Sequence, residues 1–391
     1  MPNKTQEWLL KRDETNNVKL FRLTPTTFSS LVRLVALDLS HNALTILERS
    51  HLSSLTSLQL LDVSNNNIHT LSANVFSQQH NLHVLRMSHN SIENLRPYSL
   101  SGLSVVSSLD LSHNRLKNIH ADTLINCTSL TSLSLSSNQF SVVPHGLRVL
   151  SKLKTIDLSN NLISRLSEET LSSLNSSASL YGVSLAGNGI KTFDAKAFRP
   201  VGKIEVLNLA HNQIRNLTKG VFKEVKKLRM LRLDNNRLTD INGILLGLSQ
   251  LRWLNVSSNR LQWFDYAFFP KNLEWLDVHE NSIDELSNYY KLGPGFKLKT
   301  LDARSNRIKA VNGESLISSL ETVLLGSNRI TTVSADSFFS PENGGNMLQT
   351  VDLTNNKIQQ LPLSALSLDH HRSRSKGQST NLTKASRALH A

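Results

Sequence analysis

Fourteen histidines, a recurrent row of aspartates, one cysteine and a tryptophan–arginine column are the groups in this chain that can do chemistry. The histidines would be the natural metal ligands or proton carriers. Four of them, His41, His89, His113 and His211, sit directly before an asparagine in a Ser-His-Asn or Ala-His-Asn step. Their spacing follows a longer period in the chain, and no Cys, Asp and His set with zinc-site separations accompanies them. They read as repeated turn residues, and the sequence nominates no metal site. His370-His371 lies in a polar stretch and offers only adventitious metal binding.

Asp38, Asp62, Asp110, Asp157, Asp277, Asp302 and Asp352 imitate an acid/base array, yet all fill one slot of that same period. Laddered carboxylates in solvent are the expected reading. Cys127 stands where other repeats place Leu55, Leu103, Leu174, Val201 and Val225, so it reads as a small buried hydrophobe. A single cysteine forms no intrachain disulfide. Nucleophile-elbow, phosphate-loop, dinucleotide and His-Glu-x-x-His motifs are all missing. The sequence points to no enzyme and to no cofactor.

What remains is a column holding Val206, Met230, Trp253 and Trp275 in consecutive repeats, with Arg229, Arg232 and Arg252 nearby. Tryptophan with arginine is the composition of binding hot spots. Met230, Arg232, Trp253 and Trp275 are therefore the candidate ligand-binding residues. If they lie on adjacent strands, roughly 4.8 Å apart, the two indoles must touch. The competing reading is that they only stack on each other.

The element that positions these residues is a repeat. The pattern L-x-x-L-x-L-x-x-N-x-L runs first through Leu34, Leu37, Leu39, Asn42 and Leu44, and its asparagine returns through Asn66, Asn90 and onward to Asn356. That makes fourteen repeats, most of them 22 to 25 residues long, with steps of 27 before Asn188 and 28 before Asn356. Five residues after every asparagine stands another apolar residue, from Leu47 and Leu71 to Val333 and Leu361. Ten residues after it a second anchor recurs, as at Phe76, Leu100, Phe198, Phe222 and Phe269. The x-L-x-L step has period two and predicts a short strand with its leucines inward. Stacked repeats then build an α/β solenoid: an arc or horseshoe with a parallel sheet on the concave face and irregular or short helical convex segments. Each asparagine amide is expected to satisfy backbone groups of the turn that follows the strand.

Residues 1–17 read as an unstructured leader, 18–366 as the solenoid with a partial first repeat, and 367–391 as a disordered polar tail. In that partial repeat Leu23 and Phe28 keep the convex register while the strand is missing. Neither end shows a polar cap, so the chain reads as an internal piece of a longer solenoid. A hydrophobic share of 39% is enough for a large core. The net charge of +13 reads as diffuse, with Arg372, Arg374, Lys376, Lys384 and Arg387 crowding the tail. No nucleic-acid partner is implied. The chain carries no apolar leader of a secretory signal and no run long enough to span a bilayer, so as written it reads as soluble. Sequons at Asn126, Asn175, Asn216 and Asn255 permit a secreted, glycosylated setting, as do Asn3 and Asn381.

One stretch departs from the repeat consensus. Trp263-Phe264-Asp265-Tyr266-Ala267, Pro270, Leu273-Glu274-Trp275-Leu276-Asp277-Val278-His279, Asn281 and Leu286-Ser287-Asn288-Tyr289-Tyr290 resemble insect Toll receptor ectodomains, of the long, Tollo-like branch. The resemblance covers about residues 18 to 366. It implies a receptor on the extracellular side of the plasma membrane, serving innate immunity or developmental patterning. It also implies a protein ligand of the Spätzle cystine-knot type, or a second receptor chain, as partner. The signal peptide, cysteine-rich caps, membrane helix and cytoplasmic TIR domain of that family have no counterpart in this sequence. A secreted matrix or adhesion protein and a cytosolic adaptor are the alternative readings.

Overall fold

In the computed structural model, residues 7–9, 19–241, 243–290, 295–334, 337–338 and 347–362 are described. Fifteen three-residue strands, from Glu7–Leu9 and Ala36–Asp38 to Thr350–Asp352, form one sheet in chain order. Every neighbouring pair is parallel and in the same register, so Leu37 faces Leu61 and Trp253 faces Trp275. The central strand residue points inward, and from Leu37 to Val323 each of these is at most 2% exposed. Val351, in the last described strand, is 37% exposed, and among the described residues no strand pairs on its far side.

The repeat asparagine does more than turn the chain. Asn66 Nδ2 donates to Val63 O and Ser64 O in its own turn and to Leu39 O in the preceding repeat. Its Oδ1 accepts the Leu44 N–H at 2.9 Å. The same set recurs at Asn114, Asn212 and Asn306. Each side chain thus bolts two repeats together while satisfying buried backbone groups.

The residue just before each asparagine adopts the left-handed region. His41, Asn65, His89, His113, Asn160, His211 and Asn235 have φ between 51° and 56°, and Gly187 has φ 65°. That region disfavours most L-residues and tolerates Asn, His and Gly best, which is why histidine recurs there. The aspartate row has a matching role. Asp38, Asp62, Asp110, Asp157, Asp277, Asp302 and Asp352 each accept the backbone N–H two residues on through Oδ1, and Asn208 and Asn255 do the same in that slot. These carboxylates are therefore half-buried or buried turn residues, which corrects the expectation of a ladder in solvent.

The convex side is irregular, as expected. It carries four-residue helices such as Arg49–Leu52, Ala121–Leu124 and Glu168–Leu171, and short 3-10 turns such as His145–Val149. Ser167 starts one helix by accepting the Thr170 N–H. Phe76, Leu100, Phe198, Phe222 and Phe269 fill the space behind the sheet. Gly102 shows how tight that packing is: its φ is +96°, and a Cβ there would sit 2.1 Å from the Phe76 carbonyl oxygen.

Within the leader, Glu7–Leu9 pairs with Ala36–Asp38, Trp8 opposite Leu37. The unstructured reading of 1–17 is corrected there, and the first repeat does have a strand. It was invisible in the sequence because the residue in register with Leu37 is Trp8 and the residue five further on is Asp13 rather than asparagine, whereas pairing needs only the backbone edge of the next strand. The tail 367–391 and the sequons Asn3 and Asn381 lie outside the described residues.

Candidate functional site

Met230–Arg232, Trp253–Asn255 and Trp275–Asp277 are successive strands in the C-terminal half of the sheet. Leu231, Leu254 and Leu276 anchor them inward, so the flanking residues must face the concave side. Identical register places the Trp253 and Trp275 rings 4.4 Å apart and 1° from parallel. Stacking gives the pair about 1 kcal/mol beyond its burial. Both indoles are half-buried, and Met230 beside them is 37% exposed. The expected contact is present, although the indoles are less open than the sequence suggested.

The surrounding arginines are not free. Arg229 pairs with Glu205 at 3.4 Å and Arg252 with Glu274 at 3.4 Å, along the row just before the strands. On the other side Arg232 grips the buried Asp234 through two hydrogen bonds of 2.9 Å, which raise its already high pKa further. The patch is an aromatic–thioether stripe walled by compensated ion pairs. Its apolar edge is open and its charges are spent locally.

Two strands on, the sheet brings together a cluster that the sequence reading passed over. Asp277 and Asp302 stand opposite each other on adjacent strands, each 5% exposed. His279 Nδ1 lies 2.6 Å from Asp277 Oδ1, and Arg304 holds both oxygens of Asp302. Burial, the largest influence, pushes the Asp277 carboxyl up, and its contacts with His279 pull against that. The signal in the sequence was Asp-x-His at 277–279 followed by Asp in the same slot of the next repeat.

The other chemistry-bearing residues stay apart. Cys127 is fully buried and its thiol is pushed up to about 12 by that burial, so it is inert packing. His41, His89, His113 and His211 are exposed turn residues, and the His89 and His113 rings stack at 3.9 Å. Asn126, Asn175 and Asn216 are exposed. Asn255 is half-buried between Arg232 and Asp277, with its Oδ1 engaged by the Ser257 N–H.

A leucine rich repeat profile matches in overlapping segments, residues 15–68, 56–116, 80–140, 128–181, 178–238 and 202–261. The chain belongs to the leucine-rich-repeat family. Among relatives of this leucine-rich-repeat protein, Toll-like receptor 7 of Drosophila melanogaster is 44% identical over 129 residues, 33% of this chain and 9% of the receptor. Human oligodendrocyte-myelin glycoprotein is 32% identical over 127 residues, 32% of this chain and 26% of that protein. The alignments thus span a small part of either relative. Among solved structures, the Toll–Spätzle complex of Drosophila aligns over 86% of this chain and 52% of that one, with TM-score 0.61 and 20% identity. An internalin of Listeria monocytogenes aligns over 85% and 90%, with TM-score 0.60 and 21% identity. These two likenesses establish the arc-shaped fold and nothing finer. No helix among the described residues is long and apolar enough to cross a membrane.

Proposed function

We propose that this chain is a protein-binding repeat module belonging to the extracellular region of a Toll-type receptor, acting in innate immune or developmental signalling. The observation that carries the binding role is the stacked Trp253–Trp275 pair with exposed Met230, set on a rigid sheet. Half-open aromatic side chains beside locally neutralised charges suit an uncharged, apolar knob on a partner protein. Arg232, held in place by Asp234, walls the contact. The 44% identity to a Drosophila Toll-like receptor supports the receptor reading. It makes a Spätzle-type cystine-knot cytokine, or a second receptor chain, the first partner to test. Exposed Asn126, Asn175 and Asn216 are the glycosylation sites this setting would use, and Asn255 is a fourth sequon beside the patch.

The test is surface-plasmon resonance of the chain against purified cystine-knot cytokines and Toll ectodomains, with Trp253→Ala and Trp275→Ala as variants. We expect association that weakens at least tenfold in either variant and changes little with added salt, because the local charges are already paired. Association that neither variant weakens would move the contact to another face. No association with any member of the panel would sink the receptor reading.

A further inference from the structure

We propose that two stacked segments, 196–205 and 220–229, form a docking surface for a sulfated polysaccharide. They lie on the flank of the arc where the chain returns from the convex side to the sheet. The positive charge of the chain is concentrated here: between residues 196 and 229 stand nine Lys and Arg against two Glu. Within it, Lys223-Glu224-Val225-Lys226-Lys227-Leu228-Arg229 is a short basic run of the kind that gathers polyanions such as heparin.

Register turns that run into a grid. Leu207 and Leu231 are partners on neighbouring strands, so the two repeats match residue for residue at this offset. The Val201 N–H donates to Phe198 O, and the Val225 N–H donates to Phe222 O in the same way. The Phe198 and Phe222 rings stack at 5.7 Å. The same offset sets Arg199 beside Lys223 and Lys203 beside Lys227, all four exposed. The segments touch, since a Cβ at Gly202 would lie 3.1 Å from Glu224 O.

Elsewhere the stack sets opposite charges across neighbouring repeats, as in Arg86 with Asp62, Arg165 with Asp194, Arg252 with Glu274 and Lys299 with Glu321. Here matching slots hold like charges. Lys203, Lys223, Lys226 and Lys227 make no ion pair among the described residues, while Arg199 keeps only an exposed contact with Glu168. Like charges held side by side repel, and a polyanion lying across them relieves that cost. The other side chains select the polyanion. Phe193, Phe198 and Phe222 are buried, so no ring of these repeats offers a base a stacking face. Val201, Ile204, Val221, Val225 and Leu228 are buried as well, so neither segment has an apolar side chain to enter a bilayer. Lysine, a compact point charge, outnumbers the arginine fork that suits phosphate. What the surface fits is a linear chain recognised by its charge density. The Asn216 sequon lies past the other end of the strand Val206–Asn208, so a glycan there leaves this flank open. Occupancy of the flank does not depend on what the tryptophan stack binds.

Surface-plasmon resonance on immobilised heparin tests this. The full chain is used with Arg372→Gln, Arg374→Gln, Lys376→Gln, Lys384→Gln and Arg387→Gln, so that the tail contributes no positive charge. We expect binding at physiological salt that weakens steeply as salt rises. Lys203→Gln, Lys223→Gln, Lys226→Gln and Lys227→Gln in one variant should weaken it at least tenfold and make the salt dependence shallower. Lys19→Gln, Lys117→Gln, Lys191→Gln and Lys357→Gln, exposed elsewhere on the stack, remove the same charge and should change binding little. Desulfated heparin, duplex DNA and phosphatidylserine vesicles should each bind at least tenfold more weakly than heparin. Near-ultraviolet circular dichroism shows that each variant is folded. No heparin binding, equal losses in the two lysine variants, or DNA or vesicles binding as tightly as heparin would each overturn the surface.

Discussion

From Ala36 to Asp157 the solenoid is close to periodic, whereas from Trp253 to Asp302 it keeps the backbone of a repeat and changes nearly everything else. In the first region the concave column holds Ala36, Leu60, Val84, Ser108, Ser132 and Thr155, and the core is leucine on leucine. In the second, the column holds Trp253 and Trp275 before returning to Thr300, and a fully buried tyrosine, Tyr266, reaches across a repeat to donate its hydroxyl to Ser315 O at 2.9 Å. Asp265 is likewise buried and accepts the N–H groups of Ala267 and Tyr289, tying two repeats on the convex side. The comparison separates what a solenoid requires from what it is free to vary. The asparagine bolt and the inward aliphatic residues are common to both regions because stacking fails without them. The concave column and the convex fill are free, so the specific chemistry gathers there.

The sharpest way to break the second region is through Tyr266. Tyr266→Ala should cost about 4 kcal/mol, since it empties a core-sized space and removes a hydrogen bond spanning two repeats. Tyr266→Phe should cost only about 1 kcal/mol. Chemical denaturation reads both, and near-equal losses would show that the hydroxyl, not the ring, is the anchor. The asparagine bolt makes the opposite forecast, of equality between regions. Asn114→Ala and Asn281→Ala should each lose about 3 kcal/mol, because each leaves several buried backbone groups unpaired. A clear difference between them would mean that one region tolerates water at the turn.

Smaller effects sharpen the contrast. Trp275→Ala should lower stability by only about 1 kcal/mol, well below its expected effect on partner binding, whereas a large loss would make the stack structural. The smallest is a pH effect in the regular region. Burial, and next the charge of His89, lowers the His113 pKa, so the folded state binds this proton less readily than the unfolded chain. Stability should then rise with pH from that lowered value up to about 6.5. His113→Asn, which suits the left-handed slot as Asn65 and Asn160 do, should flatten that slope. An unchanged slope would locate the effect elsewhere.

The periodic region was legible residue by residue because period and register are one-dimensional. Leu37, Asn42 and Leu47 recur at fixed offsets, and a parallel stack turns offset directly into position. The contact of Trp253 with Trp275 followed from the same rule. The strand at Glu7–Leu9 did not, since backbone pairing asks little of side chains. Nor did the burial of the aspartates, because a carboxylate that accepts its own turn's N–H looks in sequence like any surface acid.

The sequence alone thus determined the solenoid, its repeat boundaries, the inward residues and the column of concave side chains. All of these depend on spacing along the chain. Tertiary structure decided that each asparagine bonds the preceding repeat as well as its own turn, and that Arg229, Arg232 and Arg252 spend their charge on neighbouring acids. It also decided that Tyr266 crosses a repeat and that Asp277, His279 and Asp302 converge. Those outcomes depend on which side chain faces which across two stacked turns. No period along the chain encodes that.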